Sequence, residues 1–98
     1  MKITNKGLLD RFLIKHANAI NPVNKWVEII ESNDFKGHNE LKNHFPTADY
    51  VGNSRYVFNI KGNTYRLVVL VVFVSGTMQV RFCGTHAEYD KIKNIENL

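Results

Sequence analysis

Residues 55–83 read RYVFNIKGNTYRLVVLVVFVSGTMQVRFC, and the architecture is dictated from here. Apolar side chains alternate over Arg55 to Ile60 and again over Met78 to Cys83, and between them Thr64 to Val74 is dense in β-branched residues. That is the period and composition of strands. Gly62-Asn63 and Ser75-Gly76 separate the runs, and each pair suits a two-residue hairpin turn. The expectation is a three-stranded antiparallel meander.

Side-chain parity tests the turns. With Lys61 opposite Thr64, the residues Ile60, Phe58 and Tyr56 face Tyr65, Leu67 and Val69. With Val74 opposite Thr77, the residues Phe73, Val71 and Val69 face Met78, Val80 and Phe82. One surface of the sheet is then wholly apolar or aromatic, as a surface packed under helices must be. On the other surface Asn59, Arg66 and Thr85 fall in one row and Arg55, Leu70 and Arg81 in another, about 13 Å away. Val57, Val68, Val72 and Cys83 share that side.

Upstream, Leu8, Leu9, Phe12, Leu13 and Ala17 recur at helical spacing over roughly residues 6–18. Asn21 as N-cap with Pro22 at the first helical position reads as the start of a second helix with an apolar stripe of Val23, Trp26, Val27 and Ile30. A short helix over residues 39–44 must stop before Pro46. Downstream, Thr85-His86-Ala87-Glu88 has capping-box spacing, so Thr85 starts a short helix that puts His86, Tyr89 and Asp90 on one side. The tail from Lys93 to Leu98 reads as frayed or terminal. The fold class expected is α+β: two N-terminal helices packed on one face of a small antiparallel sheet, with a short C-terminal helix.

The chain has 98 residues, 13 Lys+Arg, 9 Asp+Glu and one cysteine, enough for a single domain over 1–98 and too few for a multidomain enzyme. Its longest apolar run, Leu67 to Val74, is eight residues, against the roughly 20 of a membrane-spanning helix. The N-terminal residues have no secretory character, so a cytoplasmic protein with no membrane association is expected. Cys83 alone can form neither an internal disulfide nor a cysteine zinc site, and His16, His38, His44 and His86 have no compact ligand spacing. No metal or cofactor is expected. The net charge of +4 is unevenly spread: residues 51–87 carry Arg55, Lys61, Arg66 and Arg81 and no acid. Such a region suits an anionic partner.

The blocks Asn53-Ser54-Arg55-Tyr56-Val57-Phe58-Asn59-Ile60-Lys61-Gly62-Asn63-Thr64-Tyr65-Arg66-Leu67-Val68 and Arg81-Phe82-Cys83-Gly84-Thr85-His86-Ala87-Glu88-Tyr89-Asp90 closely resemble the HigB toxins of bacterial type II toxin–antitoxin systems. The similarity extends to the N-terminal helix pair and to the Phe45-Pro46-Thr47-Ala48-Asp49 segment. The chain departs from the family pattern at Cys83, where Val is common, and at Leu70, where a polar or small residue is frequent. The resemblance implies a RelE-like fold and an endoribonuclease that cuts messenger RNA on translating ribosomes. It also implies neutralisation by a HigA-like helix-turn-helix antitoxin, with operator DNA bound only through the toxin–antitoxin complex.

RNA cleavage through the 2′-hydroxyl needs a base, cations on the crowded phosphate and an acid for the leaving 5′-oxygen. Arg66 and Arg81 are the candidate phosphate clamps, since a guanidinium donates paired hydrogen bonds. His86 is the leading proton carrier, and Tyr89 can orient substrate, stack on a base or move a proton. Arg55, Asn59 and Lys61 are candidate RNA contacts. Thr85 and Glu88 are explained by capping, Cys83 and Trp26 by packing. Two other classes fit the same basic surface: a non-catalytic RNA or ribosome binder, and a module that receives an acidic protein partner.

Overall fold

The computed structural model describes residues 1–98. Strands β1 (Lys2–Thr4), β2 (Asp49–Gly52), β3 (Arg55–Ile60), β4 (Tyr65–Val72) and β5 (Thr77–Thr85) form one sheet in the order β1-β5-β4-β3-β2. Four helices accompany it: α1 (Lys6–Lys15), α2 (Ile20–Glu31), α3 (His38–His44) and α4 (His86–Asp90). Short 3-10 turns span Ala17–Ala19 and Ile95–Asn97. The class is α+β, but the sheet is five-stranded and mixed, because β1 runs parallel to β5 while all other pairs are antiparallel. The expected meander is its centre. The two added strands, of three and four residues, are too short to show a period and exist through their partners: Ile3 lies opposite Met78, and Asp49 opposite Val57.

The first hairpin has the expected register, with Ile60, Phe58 and Tyr56 opposite Tyr65, Leu67 and Val69. The second departs from it twice. Val72 pairs with Thr77, so Phe73–Gly76 form a longer connection closed by the Gly76 N–H on the Phe73 carbonyl at 3.1 Å. This shift of two residues keeps parity: Val71 and Val69 still face the helix side opposite Met78 and Val80. The next pair is Val68 with Phe82, which leaves Arg81 as the extra residue of a β-bulge.

Beyond the bulge every β5 side chain changes face. Phe82 leaves the helix-covered side, and Cys83 turns to it, packed at the margin of the core. The row through Asn59 and Arg66 therefore ends on Gly84 rather than Thr85, and the row through Arg55 and Leu70 ends on Gln79 rather than Arg81.

The core lies where the helices meet the sheet. Phe12 of α1 stands edge-on to Tyr65 at 5.1 Å, and Trp26 of α2 edge-on to Phe58 at 5.4 Å. Phe58 also meets Phe45 at 5.1 Å. The second helix starts at Ile20 from the preceding 3-10 turn, without a side-chain cap, so Asn21 is not its N-cap. Pro22 sits in the first turn, where no intrahelical acceptor awaits its missing N–H. The tail is packed rather than frayed: Asn97 accepts from Asn53 at 3.2 Å, and the Leu98 carbonyl oxygen accepts from the Arg55 guanidinium at 3.1 and 2.7 Å. No helix is long and apolar enough to cross a membrane.

Leu67 is fully buried in β4 whereas Val74 at the hairpin tip is 97% exposed. Leu67→Ala should therefore lower the unfolding free energy by about 2–5 kcal/mol, and Val74→Ala by no more than about 0.5 kcal/mol, both measured by urea denaturation.

Candidate active site

Arg66 and the short helix α4 form the nucleus of the site. Arg66 leaves the face of β4 opposite α1 and α2, and its guanidinium carbon lies 5.9 Å from the centroid of the Tyr89 ring, a cation–π geometry. One guanidinium nitrogen donates to the Asn63 carbonyl at 3.2 Å. The His86 N–H donates to the neighbouring Thr64 carbonyl at 3.3 Å, so the first residue of α4 is anchored to the turn that holds Arg66. The helix begins with a full capping box: the Thr85 hydroxyl accepts from the Glu88 N–H at 3.1 Å, and the Glu88 carboxylate accepts from the Thr85 N–H at 2.8 Å. These bonds, the backbone one first, hold the Glu88 carboxyl below its usual range.

Within α4 the His86 Nδ1 lies 2.9 Å from the Asp90 carboxylate. A carboxylate only accepts, so Nδ1 carries the hydrogen, and in the neutral ring Nε2 is then the nitrogen with a lone pair for another partner. Asp90 thus orients a candidate proton carrier. The sequence placed it on the right side of the helix without giving it that task; i, i+4 spacing to a histidine is the signal. Tyr89 is half-buried, and burial pushes its hydroxyl up, opposed by Arg66 and aided by Asp49 and Asp90. The phenol therefore remains protonated and able to donate.

Phe82 is a component that parity assigns to the core. After the bulge its ring faces Tyr89 at 6.5 Å between centroids. It lies against Gly84, where a Cβ would come within 2.7 Å of the ring and 2.9 Å of the Glu88 carboxylate. Glycine at 84 is thus a condition for the ring's position. Only knowledge of the bulge could have revealed it.

The other candidates are dispersed. Arg81 is exposed and donates to the Gln79 side chain at 2.6 Å, alongside the row that contains Leu70. Asn59 lies directly opposite Arg66. Lys61 is exposed in the β3–β4 turn, in a left-handed conformation with φ 54°. Arg55 is drawn away, its guanidinium bonded to the Leu98 and Asn53 carbonyls. No group of three His, Cys, Asp or Glu side chains is placed to hold a metal ion. None of the cavities is lined by Arg66, Arg81, His86 or Tyr89, so this is an open surface.

The family model described as HigB toxin, RelE-like toxic component of a toxin–antitoxin system, matches residues 19–92. The chain belongs to this family. It is 29% identical over 94 residues to the mRNA interferase HigB of Escherichia coli O6:H1, covering 94% of this chain and 91% of that protein. It is 42% identical over 59 residues to the mRNA interferase toxin HigB of Escherichia coli K12 and to the mRNA interferase HigB of Shigella flexneri. The latter matches span 57% of this chain and 56% of each relative.

Thr85→Ala should cost about 0.5–2 kcal/mol of stability at neutral pH, read by thermal or urea unfolding. The Glu88 half of the box should be lost as pH falls through that residue's depressed pKa, because a lowered carboxyl stabilises the folded state only while it is ionised. Burial, with the Glu88 carboxylate, pushes the Cys83 thiol up to about 12. Its alkylation rate in the folded protein should therefore be slow and keep rising with pH towards about 12 without an earlier plateau.

Proposed function

We propose that this chain is the toxin of a type II toxin–antitoxin pair, an endoribonuclease that cleaves messenger RNA on translating ribosomes. Its partner in this reading is a HigA-like helix-turn-helix antitoxin, and operator DNA is reached only through that complex. The names of the relatives, mRNA interferases, support the substrate class. The packing of its helices on the sheet is read as RelE-like, in keeping with the family description. The observation that carries the enzymatic reading is the Arg66–Tyr89 contact on the same short helix as the His86–Asp90 pair.

In this reading the scissile phosphate lies over Arg66, with Arg81 as a second cation along the same face. His86 Nε2, freed by the Nδ1 bond to Asp90, takes the proton of the 2′-hydroxyl. The 2′-oxygen attacks phosphorus, and the guanidiniums stabilise the added negative charge. Tyr89, a phenol protonated at neutral pH, gives its proton to the departing 5′-oxygen. The products are a 2′,3′-cyclic phosphate and a 5′-hydroxyl. Asn59 and Lys61 guide the strand towards the site from the β3–β4 side, and Arg55 is a further RNA contact once its carbonyl partners yield. The guanidiniums supply the positive charge, so the proposed chemistry needs no metal.

His86→Ala should lower cleavage by about 10²–10⁴-fold while RNA or ribosome binding stays close to wild type. Arg66→Ala should reduce both, and Asp90→Asn should lower the rate without weakening binding. The check is single-turnover cleavage of translated message with mapping of the cyclic-phosphate ends. A wild-type protein that binds ribosomes or RNA but yields no fragments would establish the non-catalytic binder instead.

A further inference from the structure

The largest concavity of the molecule, about 460 Å³, lies away from the face just described, between α1 and the last residues of β5. This edge is available because β1 pairs β5 only from Thr77 to Gln79, and no other strand covers β5 beyond that point. The Asn5 side chain takes the Val80 carbonyl at 2.8 Å where β1 ends, and the rest of β5 runs past α1 towards α4. The floor is Phe12 and Cys83, the α1 wall carries Arg11, Lys15 and His16, and Glu88 closes the far end.

The chemistry of this cleft is that of a nucleotide subsite. Arg11 and Lys15, one turn apart on α1, are exposed and form no ion pair, whereas Lys6 on the same helix is bound to Glu31 at 2.7 Å. Two free cations at the mouth suit a phosphate. Aromatic rings lie beside them: the His16 ring is tilted against Phe12 at 4.8 Å and against Tyr65 at 5.0 Å between centroids. Glu88, exposed at the rim, adds a carboxylate that could accept from the amino edge of a base. The volume lies within the roughly 300–1,000 Å³ of small-molecule pockets.

The cleft is continuous with the proposed cleavage face through β5 and α4. Glu88 belongs to the helix that carries His86 and Tyr89, and Cys83 lies next to Phe82, whose ring is on the other side of the sheet. Resting on the reading of this chain as an RNA-cleaving toxin, we propose that the α1–β5 cleft is a second RNA subsite. It holds one nucleotide of the same single strand after that strand has crossed the free edge of β5, with its phosphate on Arg11 and Lys15 and its base over Phe12. A single-stranded segment fits because its base can be turned out of the stack into the cleft.

The experiment uses the full chain and an uncleavable 2′-O-methyl RNA oligonucleotide, so binding is read independently of cleavage. Arg11→Ala with Lys15→Ala should weaken affinity and make the slope of log affinity against log salt shallower by about 0.7, since each phosphate neutralised on a single strand adds roughly 0.7 to that slope. The cleavage rate at saturating RNA should be unchanged, since neither residue is at the reacting atoms. A second measurement uses the single thiol: the oligonucleotide should slow Cys83 alkylation in wild type and not in the double variant. If wild type cleaves RNA while both the salt slope and Cys83 protection are indifferent to the two substitutions, the subsite is wrong and the cleavage reading survives. If RNA is bound through Arg11 and Lys15 but never cut, the subsite stands and the enzymatic reading falls.

Discussion

One extra residue in β5 sets the composition of both faces of this protein. Up to Val80 the strand alternates in phase with β4, delivering Met78 and Val80 to the helices. Arg81 interrupts that phase, and since strand side chains have a period of two, a single insertion exchanges the faces of everything after it. Phe82 is thereby presented beside Tyr89, Cys83 is turned to the margin of the core, and Gly84 comes to lie opposite Arg66. The lack of a side chain at Gly84 lets the Phe82 ring and the Glu88 carboxylate approach the backbone closely. The bulge, the glycine and the helix start therefore act as one unit.

The capping box completes that unit. A helix of five residues is far too short to be stable alone, so α4 depends on the reciprocal Thr85–Glu88 bonds and on the anchor from His86 to Thr64. These bonds fix where the helix starts. Its start in turn fixes the side on which His86, Tyr89 and Asp90 emerge. The Asp90 carboxylate then selects the tautomer of His86, and Arg66 sits against the Tyr89 ring. Local bonds made by non-reacting residues thus determine which nitrogen and which hydroxyl are presented to solvent.

The cations fall into two groups with different constraints. Arg55 is held by backbone carbonyls and Lys6 by a glutamate, so their donors are already engaged. Arg66 is positioned by an aromatic ring and a single carbonyl, and Arg81 by a glutamine amide, leaving donors free. Arg11 and Lys15 have no carboxylate partner and border the cleft on the other side of the β5 edge. The acid-free stretch from residue 51 to 87 thus describes only part of the basic surface. Helix α1 adds Arg11 and Lys15.

Short-range rules were enough to specify the β3–β4 hairpin, the capped C-terminal helix and the presence of Arg66, His86 and Tyr89 near one another. Those rules are alternation about a glycine turn, a Thr-x-x-Glu cap and i, i+3, i+4 spacing on a helix, and all can be read directly from the order of residues. Family resemblance in the two quoted blocks supplied the same residues by a separate route. The edge strands emerge only in the assembled sheet, because Ile3 and Tyr50 have no pattern of their own and pair only where a neighbour offers an unpaired edge. The faces of Phe82 and Cys83 belong to the same category. A bulge leaves no mark in composition and is fixed by whether Phe82 finds room over Gly84. The capture of Arg55 by the tail and the cleft beside α1 required the folded chain for the same reason: each joins groups whose separation is set by packing, not by spacing along the sequence.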